Sequence, residues 1–201
     1  MNRRASTLKV GITGGIGSGK TTICNLFEDL GIPIYNADNR AKFLMHTDPS
    51  IVAALKSTFG GDIYNSEGIL QRALLAKKVF NNHIELDKLN KIVHPRVRAD
   101  FESFIESHKT YIYIIQESAL MIETGAYKNM DAVVLVVADL ETRINRVMER
   151  DHCSREEVLS RISNQMTDEE KTPFCQYIIH NNPGDDIESQ VEKIHHILCE
   201  Q

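Results

Sequence analysis

A glycine-rich segment near the start of the chain has the residue types that bind phosphate groups. Residues 14–21 fit the spacing GxxxxGK[ST] without a mismatch. Glycines permit positive φ angles, and successive backbone amides at a helix N-terminus form a site for anions. In such a loop the lysine reaches the β- and γ-phosphates of a nucleotide, and the threonine hydroxyl binds Mg²⁺. The predicted nucleotide-binding residues are Gly14, Gly15, Ile16, Gly17, Ser18, Gly19, Lys20 and Thr21.

The segments around this loop predict the fold that the motif requires. Leu8–Thr13 has the pattern of a buried strand and Thr21–Leu30 that of a helix with one apolar face. Helical stretches separate the strand-like runs, so we expect βαβ units and a parallel sheet. The predicted fold class is α/β, the three-layer αβα fold of a P-loop NTPase with a five-stranded parallel sheet. The other four predicted strands are Pro33–Tyr35, Tyr111–Ile115, Ala132–Ala138 and Tyr177–Ile179.

Two stretches are longer than a single crossover between parallel strands requires, and they predict an insertion and a lid. Residues 37–109 separate the second and third strands, which indicates a helical insertion that receives a substrate. Pro95 interrupts an apolar helical face in this insertion, so we expect two helices that meet near His94. Residues 140–173 contain short helices with capping-box spacing at Ser154 and Thr167, which suggests a mobile lid. The remaining segments, 1–36, 110–139 and 174–201, form the predicted nucleotide-binding core.

Composition limits the class of protein further. The chain has 201 residues, 42% of them hydrophobic, and a formal net charge of −5. Proteins that bind nucleic acid in bulk are usually basic, so no nucleic-acid partner is expected. Four widely spaced cysteines without a CxxC pair argue against a disulfide framework or a zinc site. Arg3 and Arg4 precede no apolar leader, and Ala132–Ala138 is too short to cross a bilayer. We expect a cytoplasmic protein without a membrane partner.

Two acidic residues follow predicted strands at the edge of the sheet where ligands bind in open parallel sheets. Asp38 comes after the second strand and is a candidate base for the hydroxyl of a phosphate acceptor. It is equally suited to cap a helix that begins near Asn39. Glu117 ends the third strand and is a candidate to hold Mg²⁺ together with Thr21. A helix cap is the alternative for Glu117 as well.

Basic and amide side chains supply further candidates. Arg146 and Arg150 lie one helical turn apart and could stabilise charge on a transferred phosphoryl group. A solvated helix face is the alternative explanation. His94 alone is more often a packing residue than a catalyst. Asn181 follows the last strand and could frame adenine, although turn chemistry explains it equally well.

The rest of the sequence distinguishes among proteins with this loop. A GTPase needs NKxD to recognise guanine, and a transporter-type ATPase needs LSGGQ; the chain has neither motif. A small-molecule kinase needs a carboxylate after the second strand, a cap for the acceptor and lid arginines, and each of these has a candidate. A kinase of small molecules is therefore the favoured class.

From about Lys9 to Asn182 the sequence resembles the dephospho-coenzyme A kinase family. The order and spacing of the motifs together carry the resemblance. These motifs are Thr13–Thr21, Asn36-Ala37-Asp38, Val93-His94-Pro95, Leu120–Gly125, Arg146–Asp151, Arg161-Ile162 with Gln165, and Ile179-His180-Asn181. Three positions depart from the family pattern: Asn36 replaces an aspartate, Ala119 stands where a proline is usual, and Gln176 stands where an aspartate is common.

The resemblance implies transfer of phosphate from ATP to the ribose 3′-hydroxyl of dephospho-coenzyme A, the last step of coenzyme A biosynthesis. It implies Asp38, Lys20, Arg146 and Arg150 as catalytic residues. The predicted nucleotide site also includes Thr22 and Asn181, and the predicted substrate site comprises Asp38, Arg40, His94 and Glu117. We expect a monomer or weak homo-oligomer that uses ATP and Mg²⁺. The alternatives are another small-molecule P-loop kinase and, less favoured, a non-catalytic protein regulated by ATP.

Overall fold

A five-stranded, all-parallel sheet organises the computed structural model, which describes residues 6–79 and 82–200. The strands pair in the order β2-β3-β1-β4-β5, so the expected parallel αβα architecture is confirmed. The strands are β1 Leu8–Thr13, β2 Ile34–Asn36, β3 Tyr113–Glu117, β4 Ala132–Val137 and β5 Tyr177–His180. The α-helices are α1 Lys20–Asp29, α2 Ala37–Thr47, α3 Pro49–Phe59, α4 Arg72–Val79, α5 His83–Ser107, α6 Leu140–Asp151, α7 Arg155–Ile162, α8 Asp168–Lys171 and α9 Ile187–Glu200. Short 3₁₀ turns occupy Gly61–Ile63, Ala126–Asn129 and Thr172–Phe174.

The chain forms two compact units. The first contains the sheet; it ends at Asn36 and resumes at Ser107. The second, Ala37–Glu106, contains α2 to α4 and most of α5. Residues 140–173 group with the first unit. Within the described ranges, none of the helices is long and apolar enough to cross a membrane.

The core of the first unit lies against the central strands. Apolar side chains of β1, β3 and β4 pack against α1 and α9 on one face of the sheet, because both helices turn an apolar stripe inward. Strands β1 and β4 are buried over most of their length, as expected of a parallel sheet that is covered on both faces. The fully buried members include Val10, Ile12, Phe27, Val134 and Leu198.

The second unit has a separate apolar core. Its helices enclose a cluster that includes Ile51, Leu55, Ile63 and Leu75. Asp48 caps α3 by accepting hydrogen bonds from the backbone amides of Ser50 and Ile51. This unit therefore has an apolar core of its own and a capped helix N-terminus, as an independently packed element does.

The prediction of two helices that meet near His94 is wrong. One 25-residue helix, α5, runs through Pro95 without ending. Proline removes one backbone donor and its ring crowds the carbonyl four residues earlier, so the helix needs other contacts to continue through it. Side chains on both sides of Pro95, including Leu89, Val93 and Val97, pack into the same apolar cluster. This packing holds the helix together across the defect.

The third strand begins two residues later than predicted. The side chains of Tyr111 and Ile112 are 42% and 53% exposed, and both residues precede the strand. Pairing starts where β1 supplies a partner, and Leu8 is aligned with Tyr113. Both predicted capping boxes are confirmed, at Ser154 with Glu157 and at Thr167 with Glu170.

Candidate active site

The phosphate-binding loop connects β1 to α1 and has the backbone shape that its glycines allow. Gly17 and Gly19 have φ angles of 79° and 88°, a left-handed conformation that other residues adopt at a cost. Gly19 is the N-cap residue of α1, and no side chain of the described residues hydrogen-bonds there as a cap. The first amides of a helix have no acceptor within the helix. The start of α1 therefore presents backbone donors and the positive end of the helix dipole to an anion.

Close packing explains the glycines as much as their φ angles do. A Cβ atom at Gly15 would overlap the guanidinium group of Arg143, and one at Gly17 would overlap the backbone of that same residue. A Cβ atom at Gly19 would overlap the side-chain amide of Asn181. The loop is thus enclosed on its outer side by α6 and by the end of β5.

Lys20 is the first residue of α1, and its ammonium group lies over the loop. Its Nζ donates hydrogen bonds to the carbonyl oxygens of Gly14 and Gly15, at 2.9 and 3.2 Å. Thr21 and Thr22 are exposed in the first turn of the same helix. The predicted phosphate and metal contacts of this motif therefore lie together at one end of α1.

Glu117 lies at the end of β3, as predicted, and is 6% exposed. Asn36, the last residue of β2, is aligned with it and donates a hydrogen bond from its side-chain amide to the carboxylate. Burial raises the pKa of the nearby Cys24 thiol, and the charge of Glu117 raises it further. Cys24 is therefore a neutral packing residue of α1. Among the described residues, no three His, Cys, Asp or Glu side chains group as a metal site.

The three arginines of α6 have three different environments. Arg143 is buried; its Nε donates to the carbonyl of Ile16 at 3.0 Å, and its Nη1 lies 3.4 Å from Asp168. Arg146 is half-buried, and its Nη1 lies 3.5 Å from the carbonyl oxygen of Gly17. Arg150 is exposed and makes two hydrogen bonds with Asp151.

The contacts of Arg150 belong to a small surface network. Arg161 lies 2.7 Å from the carboxylate of Asp151, which also contacts Arg150. The two guanidinium groups lower the pKa of Asp151 to about 2. Of the two arginines predicted to be catalytic, Arg146 lies at the phosphate loop, while Arg150 joins the α6 and α7 segments through Asp151.

Asn181 is buried beside the loop, where its Nδ2 donates to the carbonyl of Ser18 at 2.8 Å. This contact supports the loop backbone, which is a role that the sequence did not indicate. Sequence reasoning also missed contacts of Arg143 and Gln165 with the loop. Gln165 stands out in the sequence only as part of a family motif, and Arg143 is one of several charged residues in a helical stretch. Neither signal specifies a partner more than 100 positions away in the chain.

Three predicted substrate residues lie in the second unit. Asp38 is exposed in the first turn of α2. Because α2 begins at Ala37, Asp38 lies inside the helix, and the alternative that it caps a helix starting near Asn39 is wrong. Arg40 makes two hydrogen bonds with Asp100, at 2.8 and 2.7 Å. His94 lies on α5, where partial desolvation and then the positive charge of Arg98 lower its pKa.

These features define the class of protein. A phosphate loop between β1 and α1, an acid at the end of β3 and an arginine helix packed on the loop are the parts of a P-loop kinase. A family model described as dephospho-CoA kinase matches residues 8–186. A dephospho-CoA kinase of Bacteroides fragilis is 38% identical over 96% of this chain and 97% of its own length. One from Chlorobium luteolum is 34% identical over 95% and 90% of the two chains. The chain belongs to the dephospho-CoA kinase family and is a phosphotransferase.

Solved structures agree with this assignment. A Thermus thermophilus protein, TT1252, has a TM-score of 0.83 at 32% identity and is covered over 97% of its length by 96% of this chain. The dephospho-CoA kinase of Campylobacter jejuni has a TM-score of 0.70 at 26% identity over the same shares. A shikimate kinase from Acinetobacter baumannii, at 16% identity and a TM-score of 0.51, shares the fold.

The close packing of Gly17 leads to a testable prediction. Gly17→Ala places a methyl group in a left-handed residue and against the Arg143 backbone, whereas Gly31→Ala meets the same strain with no described residue within 4 Å. Strain costs each variant on the order of 1–2 kcal/mol. Overpacking adds about 1–3 kcal/mol at Gly17 alone and distorts the loop. We expect only Gly17→Ala to weaken ATP binding, by about tenfold or more, in titration calorimetry. Equal ATP affinities of the two variants would contradict this account.

Proposed function

We propose that this chain transfers the γ-phosphoryl group of ATP to the 3′-hydroxyl of the ribose of dephospho-coenzyme A. The products are ADP and coenzyme A. The 3′-oxygen forms the new bond to phosphorus, the bond to the oxygen bridging the β- and γ-phosphates breaks, and the hydroxyl proton leaves to a base. The observation that carries the proposal is the family match along residues 8–186 together with an intact phosphate loop.

The nucleotide end of the reaction is assigned to the first unit. The amides of residues 14–22, other than that of Ile16, which donates to Gln165, bind the phosphates together with the ammonium of Lys20, since these donors lie at the N-terminus of α1. Arg146, half-buried beside Gly17, is suited to stabilise charge on the transferred group. Arg150, which shares Asp151 with Arg161, orders the lid segment 140–173 in this proposal. Asn181 supports the loop and contributes to the nucleotide site through it.

Mg²⁺ is the metal proposed for this site. The hydroxyl of Thr21 and the carboxylate of Glu117 are hard oxygen donors of the kind that Mg²⁺ prefers, and the nucleotide phosphates supply further oxygens. When bound, the ion neutralises charge on the β- and γ-phosphates. Asn36 fixes the orientation of Glu117 through their hydrogen bond. The residues present are thus chemically suited to the metal.

The acceptor end is assigned to the second unit. Asp38 follows β2 by two residues and carries an exposed carboxylate, so it can orient the 3′-hydroxyl and take its proton. Arg40 and His94, with Glu117 of the first unit, are the further proposed substrate contacts. Phosphoryl transfer depends mostly on positioning and electrostatics, so this small set of groups suffices. We also propose a cytoplasmic enzyme, a monomer or weak homo-oligomer, that acts without nucleic acid or membrane.

Product analysis tests the reaction directly. The purified protein is incubated with Mg-ATP and dephospho-coenzyme A, and ADP and coenzyme A are followed by chromatography with mass detection. We expect one coenzyme A for each ADP, and a loss of at least about 10²-fold in Lys20→Ala because a phosphate contact is removed. ATP binding without coenzyme A formation would show that the acceptor is a different metabolite. If ATP did not turn over with any of the acceptors tested, the assignment as a kinase would be wrong.

Replacement of the proposed base separates chemistry from nucleotide binding. Asp38→Asn keeps the size of the side chain but cannot accept the proton, so we expect kcat to fall by roughly 10²–10⁴-fold. Affinity for ATP should stay close to that of the unaltered protein, as measured by calorimetry. Loss of ATP binding in this variant would instead assign Asp38 a role in metal binding or folding.

The different surroundings of Arg146 and Arg150 predict different effects of their replacement on catalysis. Arg146→Ala removes the guanidinium next to Gly17, and we expect a fall in kcat of about 10³-fold, as for an arginine that contacts the transferred phosphate. Arg150→Ala removes an exposed ion pair with Asp151, and surface pairs contribute little, so we expect less than about a tenfold change. Steady-state measurement of kcat for both variants shows which arginine contributes to phosphoryl transfer. A larger loss in Arg150→Ala would reverse the assignment.

A further inference from the structure

Ile16, a residue of the phosphate loop, is held at three points by the segment 140–171. Its backbone N–H donates to the side-chain oxygen of Gln165 at 2.8 Å. Its carbonyl accepts from Arg143 Nε at 3.0 Å. Its side chain packs against the apolar cluster of α6 and α7 that contains Ile144, Val147 and Val158. These contacts join the phosphate loop to residues more than 100 positions away.

The contacts of Ile16 restrict the backbone on both sides of it, where its neighbours are the glycines Gly15 and Gly17. The N–H belongs to the peptide that joins Gly15 to Ile16, and the carbonyl belongs to the peptide that joins Ile16 to Gly17. Both peptide planes are therefore fixed from outside the loop, at a point where glycines would otherwise leave them mobile. Ordering a glycine costs more conformational entropy than ordering any other residue. Contacts that order the loop before ATP arrives reduce the entropy that ATP binding has to supply.

The short segment that carries Gln165 is itself tightly fixed. The backbone N–H of Met166 donates to the carboxylate of Glu123 at 3.1 Å. Lys171 is fully buried, with its Nζ 3.1 Å from the same carboxylate and 3.5 Å from the carbonyl of Ala119. A buried ammonium is costly unless it is paired, so this ion pair restricts α8 to one position. The turn that follows β3 thereby anchors the segment on which Gln165 lies.

Asp168, in the same short segment, connects it to Arg143. Its carboxylate lies 3.4 Å from Arg143, the residue that holds the carbonyl of Ile16. Burial raises the pKa of Asp168, and the charge of Arg143 opposes that rise. The side chains that hold Ile16 therefore share one network: movement of the segment 165–171 would release the bond from Ile16 to Gln165 and remove the carboxylate that pairs with Arg143.

We propose that Gln165, together with Arg143, is a positioning residue that presets the phosphate loop for ATP. The inference rests on the proposed use of ATP, and it deepens that proposal by assigning part of the nucleotide affinity to residues that do not contact the nucleotide. Lid movement and loop geometry are coupled, because the lid segment cannot leave its place without freeing Ile16. Gln165 is the better probe of the two, since it carries no charge that would act on the phosphates directly.

The test compares two glutamines that make the same kind of bond. Gln165 accepts from Ile16, and Gln176 accepts from the backbone N–H of Val133 at 2.7 Å, outside the loop. Each is changed to methionine, which has a similar volume and no hydrogen-bonding amide. Calorimetric titration with Mg-ATP needs no acceptor, so it reports on this inference even where the acceptor proposal fails. Thermal unfolding measures the stability that each variant loses.

We expect Gln165→Met to bind ATP about 5- to 100-fold more weakly, since the partly buried N–H of Ile16 loses its partner. Gln176→Met should lose comparable stability and keep its ATP affinity. In steady-state assays the KM for ATP should rise in Gln165→Met while the KM for the acceptor is unchanged. Hydrogen exchange in the peptide that contains residues 14–19 should become faster in this variant alone.

Two results would overturn the inference: an unchanged ATP affinity in Gln165→Met, or an equal loss of affinity in Gln176→Met. If Gln165→Met does not fold, Gln165→Asn replaces it. Asparagine keeps the amide but is one methylene shorter, so it cannot reach Ile16 from the same backbone position. An ATP affinity in Gln165→Asn equal to that of the unaltered protein would also reject the positioning role.

Discussion

A polyanion bound by backbone amides requires a loop that cannot hold its own shape. Amides approach phosphate oxygens closely only where side chains are absent, and the glycines that permit this approach have the largest conformational freedom. Side chains elsewhere in the first unit hold the backbone of residues 14–19 in place. Asn181 holds the carbonyl of Ser18, and Arg143 and Gln165 hold Ile16. The nucleotide site is therefore a property of β5, α6 and the α7–α8 connection as much as of the motif.

The chemistry of these supporting groups suits their position. Asn181 and Gln165 are neutral amides that donate to or accept from the loop without adding charge near the phosphates. Arg143 is cationic, and its charge is balanced by Asp168 rather than left free to compete for phosphate. The acidic group kept close to this end of the sheet, Glu117, accepts a hydrogen bond from Asn36. A second acid at position 36 would place two carboxylates in contact, and the charge of each would raise the pKa of the other.

Local signals explain what the sequence predicted well. The loop motif, the two capping boxes and the strand runs depend on residues within a few positions of each other, so their patterns survive in the sequence. The boundaries of β3 and the continuity of α5 depend on partners elsewhere: Leu8 decides where β3 begins, and the apolar cluster of the second unit carries α5 through Pro95. The supports of Ile16 were missed for the same reason, because a glutamine in a connecting segment resembles any solvated side chain until its partner is known.

The arginines of α6 show why residue type alone does not assign a role. Arg143, Arg146 and Arg150 recur at helical spacing, and that spacing alone offers no basis for ranking them. The structure distinguishes the three arginines by their degree of burial: Arg143 is buried, Arg146 is half-buried and Arg150 is exposed. Among the described residues, the innermost guanidinium contacts the carbonyl of Ile16 and Asp168, the middle one contacts the carbonyl of Gly17 through one nitrogen, and the outer one pairs with Asp151 at the surface. A group that stabilises a transferred phosphate must be close to the loop yet not committed to holding it, and among these three that condition selects Arg146.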